Sequence, residues 1–92
     1  MWAVVVNPIS GAGRGALVGT EVAGYFASRK VPYQVITATS AQRVRSNLEA
    51  FLDISGDVCQ GVIAVGGDGL VHLVLQIVVP RKIAFAALPA GT

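Results

Sequence analysis

A buried apolar run that passes directly into a turn made almost entirely of glycine is the most constraining feature of this chain. The run is Val62-Ile63-Ala64-Val65, and the turn Gly66-Gly67-Asp68-Gly69 leads into a second apolar stretch. Unbroken valine- and isoleucine-rich runs are typical of parallel strands covered on both faces. A helix that starts directly after the turn presents free backbone N–H groups and a partial positive charge, which suit a phosphate. The pattern therefore predicts an α/β fold with an anion site at this turn.

Two further apolar runs end in glycine-bearing turns. Residues 3–6 lead into the segment Asn7-Pro8-Ile9-Ser10-Gly11-Ala12-Gly13-Arg14-Gly15, and the chain closes with Leu88-Pro89-Ala90-Gly91-Thr92. Ligands of open parallel sheets bind outside the carboxyl ends of the strands. Three such turns at three strand ends indicate one shared ligand, and their chemistry favours a nucleotide.

The apolar periodicity predicts alternating strands and helices along the whole chain. Strands are predicted over residues 2–6, 33–37, 61–65 and 83–88, and helices over 14–29, 40–52 with Ser40 as N-cap, and 69–79. The buried stripes are predicted to be Val18, Val22, Tyr25 and Phe26 on the first helix and Val44, Leu48, Phe51 and Leu52 on the second. This order predicts right-handed crossovers and an open parallel sheet with alternating helices, a Rossmann-like fold truncated after the fourth strand.

Composition narrows the class of protein. The chain has 92 residues, of which 53% are hydrophobic and 13% are charged, against roughly 25% charged in an average soluble domain. We therefore expect one domain cut from a larger protein, with uncovered apolar surface and self-association through it. The lack of a secretory leader or a bilayer-length apolar run, together with a single cysteine, predicts a cytoplasmic protein. A net charge of +2 without a basic cluster excludes nucleic acid as a partner.

The first glycine-rich segment allows two interpretations. Residues 11–16 fit the loose dinucleotide pattern G-x-G-x-x-[G/A], but residues 7–10 separate it from the strand, and the second strand ends without an acid for a ribose. In the segment itself Pro8 fixes φ and Gly11 permits positive φ. Asn7 and Ser10 offer polar side chains either to a ligand or to the loop.

Three charged or titratable residues near the turns also have alternative roles. Asp68 either coordinates Mg²⁺ or caps the third helix. His72 either donates to a phosphate or packs among the apolar residues of that helix. Arg14 either reaches a phosphate or lies in solvent.

Taken together, the segments NPISGAGRG, VGGDGLVHLV and LPAGT resemble the nucleotide-binding part of the diacylglycerol kinase catalytic domain. That family of lipid kinases includes sphingosine kinase and bacterial members, and NAD kinase is a more distant relative that shares the GGDG turn. The resemblance covers essentially the whole chain. It implies an ATP-dependent kinase that phosphorylates a lipid hydroxyl with Mg²⁺, in the cytoplasm and peripherally at the inner membrane face.

The resemblance also implies which residues face the nucleotide. They are Asn7, Pro8, Ile9, Ser10, Gly11, Thr39, Gly66, Gly67, Asp68, Gly69, Leu70, Val71, His72 and Thr92, with Asp68 as the metal ligand. Leu70 and His72 match the sphingosine kinase type, whereas Leu73 stands where an acidic residue is common in the family.

In the family a β-rich second domain, which follows the last glycine turn, holds the lipid pocket and the general base. Neither lies in these 92 residues, so we expect no catalytic residue here and no lipid phosphorylation by this chain alone. A non-catalytic nucleotide-binding module, a self-associating Rossmann-like domain and an NAD kinase-like enzyme stay open as alternatives. Arg81 and Lys82 fit either a solvated loop or a contact with anionic lipid.

Overall fold

A computed structural model of the protein describes residues 1–90 and shows strands and helices in strict alternation. The elements are β1 (Trp2–Val6), α1 (Ser10–Ser28), β2 (Tyr33–Thr37), α2 (Ala41–Ser55), β3 (Gly61–Gly66), α3 (Asp68–Val78) and β4 (Ala84–Pro89). The strands form one sheet in the order β2-β1-β3-β4, and every neighbouring pair is parallel. The predicted α/β fold with alternating helices is confirmed.

The strand order reverses direction at β1, and this reversal distributes the helices. The chain first moves from β1 outward to β2, then crosses back past β1 to β3 and continues to β4. Because parallel crossovers are right-handed, α1 lies on one face of the sheet and α2 and α3 lie together on the other. The switch point falls between β1 and β3, where an open α/β sheet forms its ligand crevice.

The larger core lies between the sheet and the α2–α3 layer. It is formed by Ala3, Val5, Ile36, Val62 and Ala64 from the strands with Val44, Leu48, Leu52, Val74, Ile77 and Val78 from the two helices. A smaller core under α1 contains Val4, Val6, Phe26, Val65 and Ala90. Residues 3–6 of β1 face both cores in alternation and are at most 2% exposed. The unbroken apolar run of β1 is thus explained by burial on both faces.

An aromatic stack closes the α1 layer at the amino ends of the strands. The ring of Phe26 lies 5.8 Å from that of Trp2 and 6.1 Å from that of Tyr33, measured between centroids. A side chain at Gly61 would collide with the Trp2 ring. Glycine at the start of β3 therefore lets the indole lie directly on the backbone, which fixes this end of α1.

Most predicted element bounds agree with the structure to within three residues. β1 and β2 have the predicted bounds, and Ser40 caps α2 through a 3.2 Å hydrogen bond from the N–H of Arg43 to its Oγ. α1 is assigned from Ser10, but residues 11–13 are not right-handed helix, so its regular part agrees with the predicted start at residue 14.

Several side chains differ from the sequence interpretation. Tyr25 is 55% exposed rather than part of the buried stripe, because α1 turns it outward, where the Arg29 guanidinium lies 3.8 Å from its ring centroid. Phe51 is half-buried at the edge of the larger core, and Val18 and Val22 are half-buried beside the smaller one. Arg81 is not simply solvated, since its Nη1 donates to Asp53 Oδ1 at 2.9 Å.

The two faces of the sheet are unequally covered within residues 1–90. Around α1 the side chains of Leu17, Val35 and Leu88 are exposed by 67%, 36% and 37%. An apolar groove of about 410 Å³ runs between α1 and β3–β4. Uncovered apolar surface is therefore present as expected, and self-association through it stays a prediction. None of the helices described here combines the length and the apolar character needed to cross a bilayer.

Two of the glycines inside the regular part of α1 give a matched test of this packing. A Cβ at Gly19 would lie 2.9 Å from a Val6 methyl carbon, whereas a Cβ at Gly24 has no neighbour within 4 Å. We expect Gly24→Ala to raise the free energy of unfolding by about 0.5–1 kcal/mol through helix propensity. Gly19→Ala should lower it by about 1–3 kcal/mol through overpacking. Urea unfolding of both variants measures the difference, and equal effects would contradict the described α1–β1 contact.

Candidate functional site

The end of β1 is held against the end of β3 by Asn7. Its backbone N–H donates to the carbonyl of Val65 at 3.1 Å, which extends the ladder one residue beyond the strand. Its Oδ1 accepts the N–H of Ile9 at 3.2 Å, and its carbonyl accepts the N–H of Ser10 at 3.2 Å. The interpretation of Asn7 as a residue that stabilises its own loop is therefore correct for the amide oxygen. The two Nδ2–H donors of the same side chain are the part that a ligand can use.

The glycine-rich segment after Asn7 forms a left-handed turn before α1 becomes regular. Gly11, Ala12 and Gly13 have φ values of 61°, 57° and 95°. Positive φ at Gly11 was predicted, but Ala12 is unexpected because a Cβ in this region costs about 1–2 kcal/mol. Farther along, a Cβ at Gly15 would collide with the carbonyl of Asn7. Glycine at this position allows the regular part of α1 to start directly against the end of β1.

The turn after β3 leaves the amino terminus of α3 without a capping side chain. Gly67 occupies the N-cap position, with φ −88° and ψ −176°, and its carbonyl accepts the first helical bond from Val71 N at 3.1 Å. The predicted capping role of Asp68 is wrong, because Asp68 is already the first helical residue and its side chain is exposed. The first N–H groups of a helix have no partner inside the helix. No residue among 1–90 accepts a hydrogen bond from these donors at α3, so they are available to an anion.

The two turns lie side by side at the switch point. A Cβ at Gly66 would lie 2.7 Å from a Leu70 methyl carbon and 3.6 Å from Asn7 Cβ. A Cβ at Gly67 would lie 3.9 Å from Ser10 Oγ. The structure thus brings Ser10 of the first segment next to the amino end of α3, as a shared ligand requires.

The turn after β4 approaches the turns that follow β1 and β3. The N–H of Ala90 donates to the carbonyl of Gly66 at 3.2 Å, and Ala90 is fully buried under α1. This contact brings the chain that leaves β4 to the turn that follows β3. Thr92, predicted to face the nucleotide, lies outside the described residues.

A small cavity opens between the ends of β1 and β2 and the first turn of α3. Its volume is about 110 Å³, and it is lined by Asn7, Ala38, Thr39, Ser40, Ala41, Val44, Gly69, Leu70 and Leu73. Asn7, Thr39, Gly69 and Leu70 were predicted site residues. Pockets for whole small molecules measure about 300–1,000 Å³, so this cavity has room for only one group of such a molecule.

Several predicted site residues lie outside this cavity. Pro8 borders a separate recess of about 290 Å³ on the α1 face, and the side chain of Ile9 is 65% exposed. Asp68, Val71 and His72 border an open recess of about 550 Å³ on the outer face of α3. The interpretation of His72 as packed in the apolar interior is wrong, because it is exposed and its Nε2 lies 3.2 Å from Gln76 Nε2.

Sequence reasoning missed the contribution of α2 to the site. Ala38, Ser40, Ala41 and Val44 line the cavity, because the amino end of α2 faces the same crevice as that of α3. The Ser40 cap itself was predicted, and it shows that α2, unlike α3, already has its free N–H groups partly satisfied. Of the two helices, α3 is therefore better suited than α2 to bind an anion at its amino terminus.

Among the described residues, Asp68 supplies the one carboxylate at this site that could bind a metal ion. Over residues 1–90 no cluster of three or more histidine, cysteine, aspartate or glutamate side chains is arranged to hold a metal ion. Mg²⁺ usually keeps several waters and binds through one or two carboxylates together with substrate phosphates. Asp68 alone therefore fits a metal that is shared with a bound polyphosphate and does not fit a resident metal centre.

Comparisons with known proteins agree with this geometry. A family model described as the diacylglycerol kinase catalytic domain matches residues 1–92. A ceramide kinase from Oryza sativa subsp. japonica is 39% identical over 73 residues, which cover 79% of this chain and 12% of that protein. The chain therefore corresponds to a small part of the length of this curated relative. No solved structure matches the chain.

The free amino terminus of α3 can be tested by supplying the missing cap. Gly67 has an extended backbone with room for a side chain, so Gly67→Ser should place a hydroxyl on the N–H groups that an anion would use. We expect weaker binding of inorganic triphosphate and a gain in stability of a few tenths of a kcal/mol. Titration calorimetry and urea unfolding measure the two effects.

Gly67→Ala is the matched control, because it adds the same Cβ without a hydrogen-bond acceptor. It should keep triphosphate binding and lose a few tenths of a kcal/mol of stability. Equal loss of binding in the serine and alanine variants would contradict a role for the free N–H groups.

Proposed function

Because the chain belongs to the diacylglycerol kinase catalytic domain family, we propose that it is the ATP-binding part of a lipid kinase. In this proposal the phosphates of ATP bind at the switch point between β1 and β3. The observation that carries the proposal is the uncapped amino terminus of α3 beside the Asn7–Gly13 segment. Two glycine turns and a helix terminus with free N–H groups meet there, and each favours a phosphate.

Each part of the site has a role in this proposal. The N–H groups at the start of α3 and the Nδ2–H donors of Asn7 bind phosphate oxygens. The cavity beside Thr39 takes another part of the nucleotide. Asp68 holds Mg²⁺ together with the phosphates, where the ion would neutralise charge on the transferring group. Thr92, outside the described residues, contributes a further contact from the turn after β4.

The proposed reaction transfers the γ-phosphoryl group of ATP to a lipid hydroxyl. The bond from the γ-phosphorus to the bridging oxygen of ADP breaks, a bond to the lipid oxygen forms, and the hydroxyl proton passes to a base. Phosphoryl transfer asks mainly for positioning and charge neutralisation, and the described residues fit the donor side of that task. The base and the lipid pocket belong, in this proposal, to the second domain of the family.

A sphingoid lipid is the acceptor class that we propose within the broader group of lipid hydroxyls. Leu70 and His72 follow the sphingosine kinase pattern, and the rice relative is named a ceramide kinase. Such a substrate resides in membranes, so we propose a cytoplasmic enzyme that works peripherally at the inner membrane face.

The position of Asn7 allows a charge test of ATP binding. Asn7→Asp keeps an oxygen that accepts the Ile9 N–H but replaces the Nδ2–H donors with negative charge next to the proposed phosphates. We expect the dissociation constant for ATP with Mg²⁺ to rise at least about tenfold. Asn47→Asp makes the same change on the exposed surface of α2 and should leave binding nearly unchanged.

Titration calorimetry at up to millimolar ATP tests whether ATP binds at this site. Equal behaviour of the two aspartate variants, or no heat with the unaltered chain, would contradict ATP binding at this site. Tighter binding of NAD⁺ than of ATP would favour the NAD kinase-like alternative.

We also expect these 92 residues to bind ATP without phosphorylating a lipid, because the proposed base is not among them. A radiolabelled ATP assay with ceramide, sphingosine and diacylglycerol in mixed micelles measures this. Measurable lipid phosphorylation by the chain alone would show that the base lies within these 92 residues.

A further inference from the structure

A row of three hydrogen-bonded side chains connects α2 to the outer face of α3. Arg45 Nη2 donates to Gln76 Oε1 at 3.1 Å, across the gap between the two helices. On the other side of the same amide, Gln76 Nε2 lies 3.2 Å from His72 Nε2. His72 and Gln76 are four residues apart on α3, which places them on one face of the helix. The nucleotide site as described so far gives no role to Arg45 or Gln76, and it places His72 only at the border of the outer recess.

The charged end of this row fixes the direction of every hydrogen bond in it. A guanidinium group has donors and no acceptor, so the Gln76 atom that faces Arg45 is the carbonyl oxygen. The NH₂ group of Gln76 then faces His72 and donates to Nε2. A ring nitrogen that accepts a hydrogen bond carries no proton, and in the neutral imidazole the proton is then on Nδ1.

We propose that Arg45 and Gln76 are positioning residues that hold His72 in the Nδ1–H tautomer. His72 then offers its one N–H from Nδ1 to an anionic ligand, because Nε2 is occupied by Gln76. His72 borders the recess that also contains Asp68 and Gly69 of the first turn of α3. The ligand part of this proposal rests on the proposed function, since the anion is the phosphate chain of ATP.

The tautomer can be measured directly, since the sequence contains one histidine. We would label the chain with ¹⁵N-histidine and record two-bond couplings between ring protons and ring nitrogens at about pH 8, above the ordinary imidazole pKa of about 6.5. The unaltered chain should show the Nδ1–H form in the majority. A majority of the Nε2–H form would overturn the proposal.

The variant Gln76→Glu distinguishes a role of Gln76 in orienting His72 from a role in packing alone. Glutamate has the shape of glutamine but only accepts hydrogen bonds, so it can keep the Arg45 contact while it reverses the preference to Nε2–H. Gln34→Glu, the same change at an exposed position of β2, should leave the tautomer ratio unchanged. Arg45→Met removes the group that orients the amide and should move the ratio toward that of a histidine in an unstructured peptide. A ratio that stays constant in Gln76→Glu and Arg45→Met would overturn the positioning role.

A titration with ATP and Mg²⁺ tests the ligand part. The His72 nitrogen signals should move on ATP addition, and the uncharged variant Gln76→Met should raise the dissociation constant roughly two- to tenfold, as expected for one misplaced hydrogen bond. An Nδ1–H ring in a chain that binds no ATP would support the positioning role and contradict the nucleotide site. Undiminished ATP affinity in Gln76→Met would overturn the ligand part while the nucleotide site stands.

Discussion

The pairing of β1 with β3 across the switch point is the interaction on which the rest of the structure depends. The two strands are in register from Trp2 opposite Gly61 to Val6 opposite Val65, and the Asn7 N–H adds one more bond to Val65. Because the strands are parallel, this register brings their following turns to the same height. Shifting the pairing by one residue would also reverse the faces of the buried β1 side chains. Core packing and site geometry are therefore set by the same contacts.

The glycines of the site differ in what they permit, and only some relate to a ligand. Gly15 and Gly66 lie where a Cβ would meet Asn7 or Leu70, so they allow α1, β1 and α3 to approach one another. Gly67 and Gly69 have little or nothing near the Cβ position, so packing does not explain them. Gly67 leaves the N-cap position of α3 without a side-chain acceptor, so the described residues do not use the first N–H groups of that helix. A phosphate at the free N–H groups of α3 is the explanation that its geometry supports best.

The fold could be read from the sequence because its signals are local and repeated. The valine-rich strands, the Ser40 cap and the glycine turns each specify their own element, and their alternation leaves few topologies. The errors concern side chains whose surroundings depend on tertiary structure. Whether Tyr25 is buried depends on how much of the sheet α1 covers. Residue types could not decide whether Asp68 caps α3 or lies in its first turn, because aspartate is suited to both positions.

Tertiary packing also decides which side chains of the site meet. Asn7, Thr39 and the adjacent pair Gly69 and Leu70 are far apart in the sequence. Strand-end reasoning predicted that the turns after the strands meet, and the family resemblance implied that Thr39 and Leu70 lie there too. Arg45 and Gln76 carry no motif, and only the packing of α2 against α3 brings them to His72. Their contribution depends on a distance between two helices, which apolar periodicity does not specify.

The outer edge of β4 is a place where a further strand could extend the sheet. Within residues 1–90, β4 pairs with β3 alone, so its other side carries unpaired backbone groups. A strand added there in parallel would end level with Pro89, and the loop after it would emerge at the same end of the sheet as the turns that follow β1 and β3. Extension of the sheet at this edge would therefore lengthen the end that carries the glycine turns and leave the aromatic stack at the opposite end unchanged.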